Sequence, residues 1–364
     1  MHIPDGYLSP ATCAVLYAGA APFWYGAMAR LRRALHTRLI PRLSLFAAFS
    51  FVVMMFPVPL PGGSTGHAVG IGLATVVLGP AAAILAISIA LFIQAFFFGD
   101  GGITALGANC VNMAVVGSLA AFVVYRLVAG RSALTSARRM VAAAVAGYVA
   151  INASALCAAV EFGIQPLLYR DASGAPLYCP YPLSVAIPAM MIGHLTVAGA
   201  AELVLTGGVV AFLQRLDPAT LKAGAGRVVA GAVQPAADAP GTLRPLWLTL
   251  GVLLVLTPLG LLAAGSAWGE WGASDFADPA ARQRIAQASS NHAPPARVPQ
   301  GMQRWSSAWT APFPDYAPPY LRNAAVGYAL SGMCGAGLVI LAATGVGALV
   351  RARRSTGRHD AVRS

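Results

Sequence analysis

The chain has 364 residues, of which 57% are hydrophobic and only 10% are Asp, Glu, Lys or Arg, against roughly 25% charged in an average soluble domain. That deficit excludes a soluble globular protein; the 39 Gly and 26 Pro lie inside apolar runs, which excludes collagen and polar low-complexity disorder. The net charge of +12 does not make a nucleic-acid binder, because the basic residues fall in short stretches between apolar runs and no basic helix with interleaved aromatics occurs. What remains is an all-α, polytopic integral membrane helix bundle.

In chain order, Met1-His2-Ile3-Pro4-Asp5-Gly6 comes first. It lacks the basic stretch and the small-residue cleavage site of a signal peptide. Apolar segments follow at 9–29, 43–57, 67–78, 81–98, 104–125, 140–165, 183–213, 246–264 and 323–350. A span needs about 20 residues to cross a ~30 Å hydrocarbon core. The third and fourth segments are short and meet at Gly79-Pro80, so they read either as two tight spans or as one broken hairpin. Counted separately, they give about seven spans followed by two more. With the N-terminus outside, every basic residue except Arg170, Arg282, Arg284, Arg297, Arg304 and Arg322 falls on the inner side, as the positive-inside rule requires.

The layout divides the chain into four parts: a membrane domain over 1–215, an Ala/Gly/Pro-rich cytoplasmic linker over 216–243, a two-span domain over 244–350, and a basic cytoplasmic tail over 351–364. The two-span domain encloses a long outer segment, 265–322, which ends in Trp305, Trp309, Phe313, Tyr316 and Tyr320. That cluster reads as an interfacial aromatic belt, with a ligand box as the alternative. Cys13, Cys110, Cys157, Cys179 and Cys334 form no metal or disulfide spacing and read as small apolar packing residues. There is no internal repeat.

No phosphate-binding loop is present, and no constellation of titratable residues supports an enzyme. His36, His292 and His359 read as solvated. His2 is different by position. A free α-amine, the amide nitrogen of residue 2 and His2 Nδ1 close adjacent chelate rings and give three coplanar nitrogens. A fourth nitrogen completes the square-planar geometry that suits Ni(II) or Cu(II). Met1 is retained on this reading because residue 2 is large; the competing reading is a flexible terminus with an incidental His. His67, in Pro61-Gly62-Gly63-Ser64-Thr65-Gly66-His67, lies on the same side of the membrane and can supply that fourth nitrogen. Gln94, Asn109, Asn112, His194 and Glu202 lie within apolar spans, where a polar residue either serves function or bonds a neighbouring helix. Glu202 falls nearer the cytoplasmic end and reads as an interhelical anchor.

The string Met1-His2-Ile3-Pro4-Asp5-Gly6-Tyr7-Leu8-Ser9-Pro10 resembles the N-terminus of the cobalt/nickel M components, CbiM and NikM, of energy-coupling-factor transporters. Gly62-Gly63-Ser64-Thr65-Gly66-His67 is similar to their second metal segment. Gly101–Asn109 and Gly193-His194 through Glu202 also match the family. The resemblance covers about 1–215. Residues 244–350, with Thr257-Pro258-Leu259-Gly260-Leu261-Leu262 and Gly269-Glu270-Trp271-Gly272, resemble the small N component (CbiN/NikN, PDGLE-type), although the Pro-Asp-Gly-Leu-Glu string itself is absent.

The resemblance implies a substrate-specific transmembrane component for uptake of Ni²⁺ or Co²⁺, located in the cell inner (plasma) membrane. Its metal would be held in a plane by Met1, His2 and His67. Its partners would be a transmembrane coupling (T) subunit and cytoplasmic ATPase subunits. The alternative is a stand-alone secondary transporter or channel for a divalent cation, which wants carboxylates along a pathway; only Glu202 and Glu161 offer them.

Overall fold

The structure, a computed structural model, describes residues 1–34, 39–225, 243–263 and 265–360. His36, most of the 216–243 linker and the end of the basic tail lie outside the described residues. The helices in chain order are α1 (Pro10–Ala34), α2 (Leu39–Met54), α3 (Ile71–Leu78), α4 (Pro80–Phe98), α5 (Leu106–Ala129), α6 (Ala137–Leu168) and α7 (Leu183–Leu216). After the linker come α8 (Arg244–Leu262), the short α9 (Pro279–Ala288) and α10 (Gln300–Trp305), and α11 (Ala324–Asp360). One antiparallel hairpin, β1 (Val58–Leu60) and β2 (Ser64–Gly66), precedes His67.

Among the described residues, six helices are long and apolar enough to cross a membrane: α4 to α8, and Ala324–Ala348 of α11. Helix α2 is shorter, at 16 residues. The expected segment 67–78 does not form a span. Its helix, α3, has eight residues, about 12 Å at 1.5 Å per residue. All eight are buried, so the apolar run faces protein and not lipid. The broken-hairpin alternative therefore describes 67–98, with the break at Gly79-Pro80. Helix α3 fits there because it crosses α6 glycine to glycine: a Cβ on Gly72 would sit 2.5 Å from the Gly147 Cα. Small residues permit this backbone approach.

Three of the spans carry π-helical turns: Gln94–Phe98 in α4, Cys110–Gly117 in α5 and His194–Ala198 in α7. Each begins at, or one residue after, a polar residue singled out by the sequence. A π turn inserts one residue and re-aims the side chains around it.

The C-terminal region packs against the first domain. Gly335 of α11 faces the ring of Phe51 on α2, and Tyr328 Oη donates to the Met55 carbonyl at 3.0 Å. The segment between α8 and α11 covers the end of the bundle that holds Met1. Thr65 N donates to Ser266 O at 3.3 Å, part of an isolated bridge beside the hairpin, and Phe313 N donates to Phe97 O at 2.9 Å. The aromatic cluster expected as a belt serves this docking. Trp309 Nε1 donates to Phe96 O at 2.7 Å, and the buried Tyr316 stacks on Phe98 at 4.7 Å. Tyr320 alone of these stays largely exposed, at 73%.

Candidate metal centre

Residues 1–9 form no helix, yet they thread into the bundle, and Met1, His2 and Ile3 are buried. Buried backbone must find hydrogen-bond partners, and side chains of the bundle supply them. Ile3 N donates to Asn109 Oδ1 at 2.8 Å, and Asn109 Nδ2 donates back to Ile3 O at 3.1 Å. Gly102 N also donates to Ile3 O, at 2.8 Å. The Asp5 carboxylate accepts from Ile103 N at 3.2 Å and Thr104 N at 2.7 Å. Tyr7 Oη donates to Trp271 O at 2.8 Å. Ser9 N donates to Gln165 Oε1 at 3.0 Å. The passage is lined by glycine of necessity: Gly101 has φ +82°, and a Cβ on Gly102 would lie 2.3 Å from Asp5 N.

This threading brings the terminus to His67. The His2 and His67 rings stack with centroids 5.1 Å apart and 29° between planes. His67 Nδ1 lies 3.0 Å from Ala68 O; a carbonyl there requires Nδ1 to carry the proton and leaves Nε2 with a lone pair. Burial, reinforced by His2 and the α-amine, pushes the His67 imidazole down to about 3, so it is neutral at physiological pH. The α-amine of Met1 lies 3.1 Å from Glu270 Oε1. His2 Nδ1 lies 2.9 Å from Asp100 Oδ1, but the pair is not aligned as a hydrogen bond, and both His2 ring nitrogens are buried without a hydrogen-bond partner. Donor atoms of His2, Asp100 and Glu270 all lie within 4.8 Å of one another. Burial opposes ionisation of Asp100, but contact with His2 outweighs it and holds the carboxyl well below the usual carboxylate range. Tyr316 Oη and Gln94 Nε2 donate to its second oxygen at 2.6 and 3.2 Å.

The expected residues thus fall into two groups. Met1, His2 and His67 meet in one place; Gln94 and Asn109 bond groups adjoining them. Asn112 lies elsewhere: its Nδ2 donates to Glu161 Oε2 at 2.7 Å. His194 is buried, with Nδ1 2.8 Å from Met190 O one turn back in α7. Glu202 accepts from Val69 N, Gly70 N and Gly72 N at 2.8, 2.9 and 3.2 Å. Its carboxylate ties α7 to the start of α3.

Asp100, Glu270 and Tyr316 were not singled out as site residues. Asp100 stands in Gly99-Asp100-Gly101-Gly102, where one acid among glycines that permit close backbone approach was the available signal. Glu270 shows in the sequence only within Gly269-Glu270-Trp271-Gly272 and Tyr316 only within the aromatic cluster, neither of which points to the terminus, because loop carboxylates and tyrosines are ordinarily solvated.

Comparison with known proteins gives the chain its family. The family model of the cobalt uptake substrate-specific transmembrane region, CbiM, matches residues 2–220, and that of the PDGLE domain matches 244–352. The fused nickel transport protein NikMN of Rhodobacter capsulatus is 55% identical over 352 residues, covering 97% of this chain and 98% of that protein. The probable fused nickel transport protein LarMN of Lactiplantibacillus plantarum is 43% identical over 334 residues, covering 91% and 93%. A crystal structure of a truncated transition metal transporter superposes with TM-score 0.56 at 49% identity, covering 59% of this chain and 99% of that one. Residues 2–215 therefore fall within the first match and the covering segment within the second, and the chain belongs to the CbiM family of substrate-specific membrane transport components, fused to a PDGLE domain, and is not an enzyme.

Proposed function

We propose that this chain captures Ni²⁺ or Co²⁺ for uptake as the substrate-specific component of an energy-coupling-factor transporter. The cation is the cargo. Four nitrogens hold it in a plane: the Met1 α-amine, the His2 amide and Nδ1, and His67 Nε2. The observation that carries this reading is the meeting of the buried terminus with His67: the His2 and His67 rings stack with centroids 5.1 Å apart, His2 is 1% exposed, and its Nδ1 makes no aligned hydrogen bond although it lies 2.9 Å from Asp100 Oδ1. Among the described residues the Ile3 amide is engaged by Asn109, whereas the His2 amide has no such partner. A planar nitrogen set suits Ni(II), and two similar proteins are named for nickel transport.

A chelate this complete releases its metal slowly, and conduction requires binding weak enough to leave. The chain has no phosphate-binding loop. Release therefore draws on a membrane coupling subunit and cytoplasmic ATPases. The exposed small-residue face of α1, including Ala14 and Ala18, suits close packing against a helix of that subunit.

The test uses vesicles holding this chain alone or together with a coupling subunit and ATPases, each made with Met1 free or with one residue added before it. The free-Met1 chain binds nickel in both settings and accumulates it only with partners and ATP. The extended chain does neither. Nickel binding unchanged by the extension removes the α-amine from the site. Accumulation by the isolated chain on an ion gradient replaces the subunit reading with that of a secondary transporter.

A further inference from the structure

A cavity of about 170 Å³ lies beside the Met1 terminus, between the N-terminal segment and the covering C-terminal segment. Pro4, Asp5, Gly101 and Gly102 form one wall; Glu270 and Met302 are on the other. Two of these residues carry charge, and they are in different states. The Asp5 carboxylate is engaged by the 103–104 backbone. Glu270 places Oε1 on the buried α-amine, and among the described residues Oε2 has no donor. The side chain is 22% exposed while the terminus it touches is 1% exposed. Glu270 therefore spans the boundary between a wetted cavity and a dry nitrogen site.

We infer that the cavity is the way in for the hydrated divalent cation and that Glu270 relays the cation from water to the nitrogen donors. The inference rests on the metal site proposed above. A carboxylate is a hard oxygen ligand that holds a hydrated divalent ion through its waters or directly, and it does so more loosely than nitrogen holds Ni²⁺. In the relay, Glu270 lets go of the α-amine and takes the cation in the cavity. The nitrogens then replace the remaining waters, and the ammonium proton, the His2 amide proton and the waters leave through the cavity. Glu270 comes from the PDGLE region and the nitrogens from residues 1–67, so the fusion places the relay and the site on one chain. A relay of this kind speeds loading and unloading alike and leaves the equilibrium nearly unchanged. That separates it from a resident ligand, whose loss weakens binding.

The experiment is stopped-flow nickel binding to the purified full chain with Met1 free, as wild type, Glu270→Gln and Glu270→Asp. Nickel chloride is the probe and ionic strength is varied. Wild type binds one nickel per chain, with an association rate that falls as salt rises. In Glu270→Gln both association and dissociation slow by about tenfold or more, the range over which a focusing charge acts on on-rates, and the salt dependence flattens. The affinity stays within about threefold of wild type or tightens, because a competitor for the amine has gone. Glu270→Asp recovers part of the rate. Unchanged rates in Glu270→Gln overturn the relay, and so does a selective loss of affinity, which makes Glu270 a resident ligand. If wild type itself binds no nickel, the nitrogen site has failed, and the relay with it; that result is distinct from the other two.

Discussion

Two buried polar clusters sit at the two ends of one short stretch, residues 67–72, and they are opposites. At one end Glu202 is fully buried and fully engaged: three backbone N–H groups of the stretch, Val69, Gly70 and Gly72, donate to it, and Thr206 lies at 3.4 Å. It stands at the N-terminus of α3, where the helix dipole also favours a negative charge. At the other end His67 stacks on His2, and the nitrogens of His2 are buried with no hydrogen bond. In the sequence one cluster reads as a terminal chelate with a loop His, and the other as an interhelical anchor. What separates them is satisfaction: a complete set of hydrogen bonds is architecture, and an incomplete one leaves room for a ligand.

The largest effect that tests this contrast is a double dissociation. His67→Ala removes a proposed nitrogen and leaves Glu202 and the start of α3 intact. Nickel affinity falls more than about a hundredfold, beyond the ~10–100-fold typical of supporting partners, while the melting temperature of the metal-free protein holds. Glu202→Ala strands three buried N–H groups at about 1–3 kcal/mol each, so the melting temperature drops by several degrees. Affinity falls only as far as the displaced stretch carries His67 with it. Nickel titration and thermal unfolding of both variants decide the matter. If Glu202→Ala abolished binding with no loss of stability, the two clusters would exchange roles.

The contrast also explains what the sequence disclosed. Long apolar runs announced α4 to α8 and α11, because a membrane demands them. The run before Gly79 left two spans and a broken hairpin open, because α3 is surrounded by protein, and the Gly72–Gly147 crossing that admits it joins residues far apart in the chain. His2 and His67 were legible because a terminal amine with His at position 2 is a chelate by local geometry alone. Glu270 and Tyr316 reach the site only through tertiary docking of a segment some 270–315 residues downstream, and no local pattern encodes that.

A second effect sharpens the chemistry at the unsatisfied end. Two proposed donors, the α-amine and the His2 amide, bind metal only after losing a proton. Each proton lost on binding makes nickel affinity rise about tenfold per pH unit. His67, already neutral with its pKa near 3, adds nothing to the slope above pH 5. Nickel titrations between pH 6 and 7.5 check this: affinity that climbs with pH keeps proton-releasing nitrogens in the site, and a flat profile removes the amine and the amide as ligands.

The smallest effect concerns how far the C-terminal region reaches into the site. Tyr316 Oη donates to Asp100 Oδ2 at 2.6 Å, and Asp100 Oδ1 lies 2.9 Å from His2 Nδ1. Tyr316 is thus one carboxylate away from a proposed ligand. Tyr316→Phe removes the hydroxyl and keeps the ring that stacks on Phe98 at 4.7 Å, so the segment stays docked. Asp100 retains the Gln94 Nε2 donor at 3.2 Å, so its placement loosens without being lost. Nickel affinity should fall by less than about tenfold, below the range typical of supporting partners, while Asp100→Asn, which changes a carboxylate in contact with His2, should fall further. The order of the two losses is the informative quantity. If Tyr316→Phe weakened binding as much as Asp100→Asn, the hydroxyl itself would set the position of His2. If neither variant changed affinity, the stacked imidazoles would be held by the N-terminal threading alone, and the C-terminal region would cover the site without shaping it.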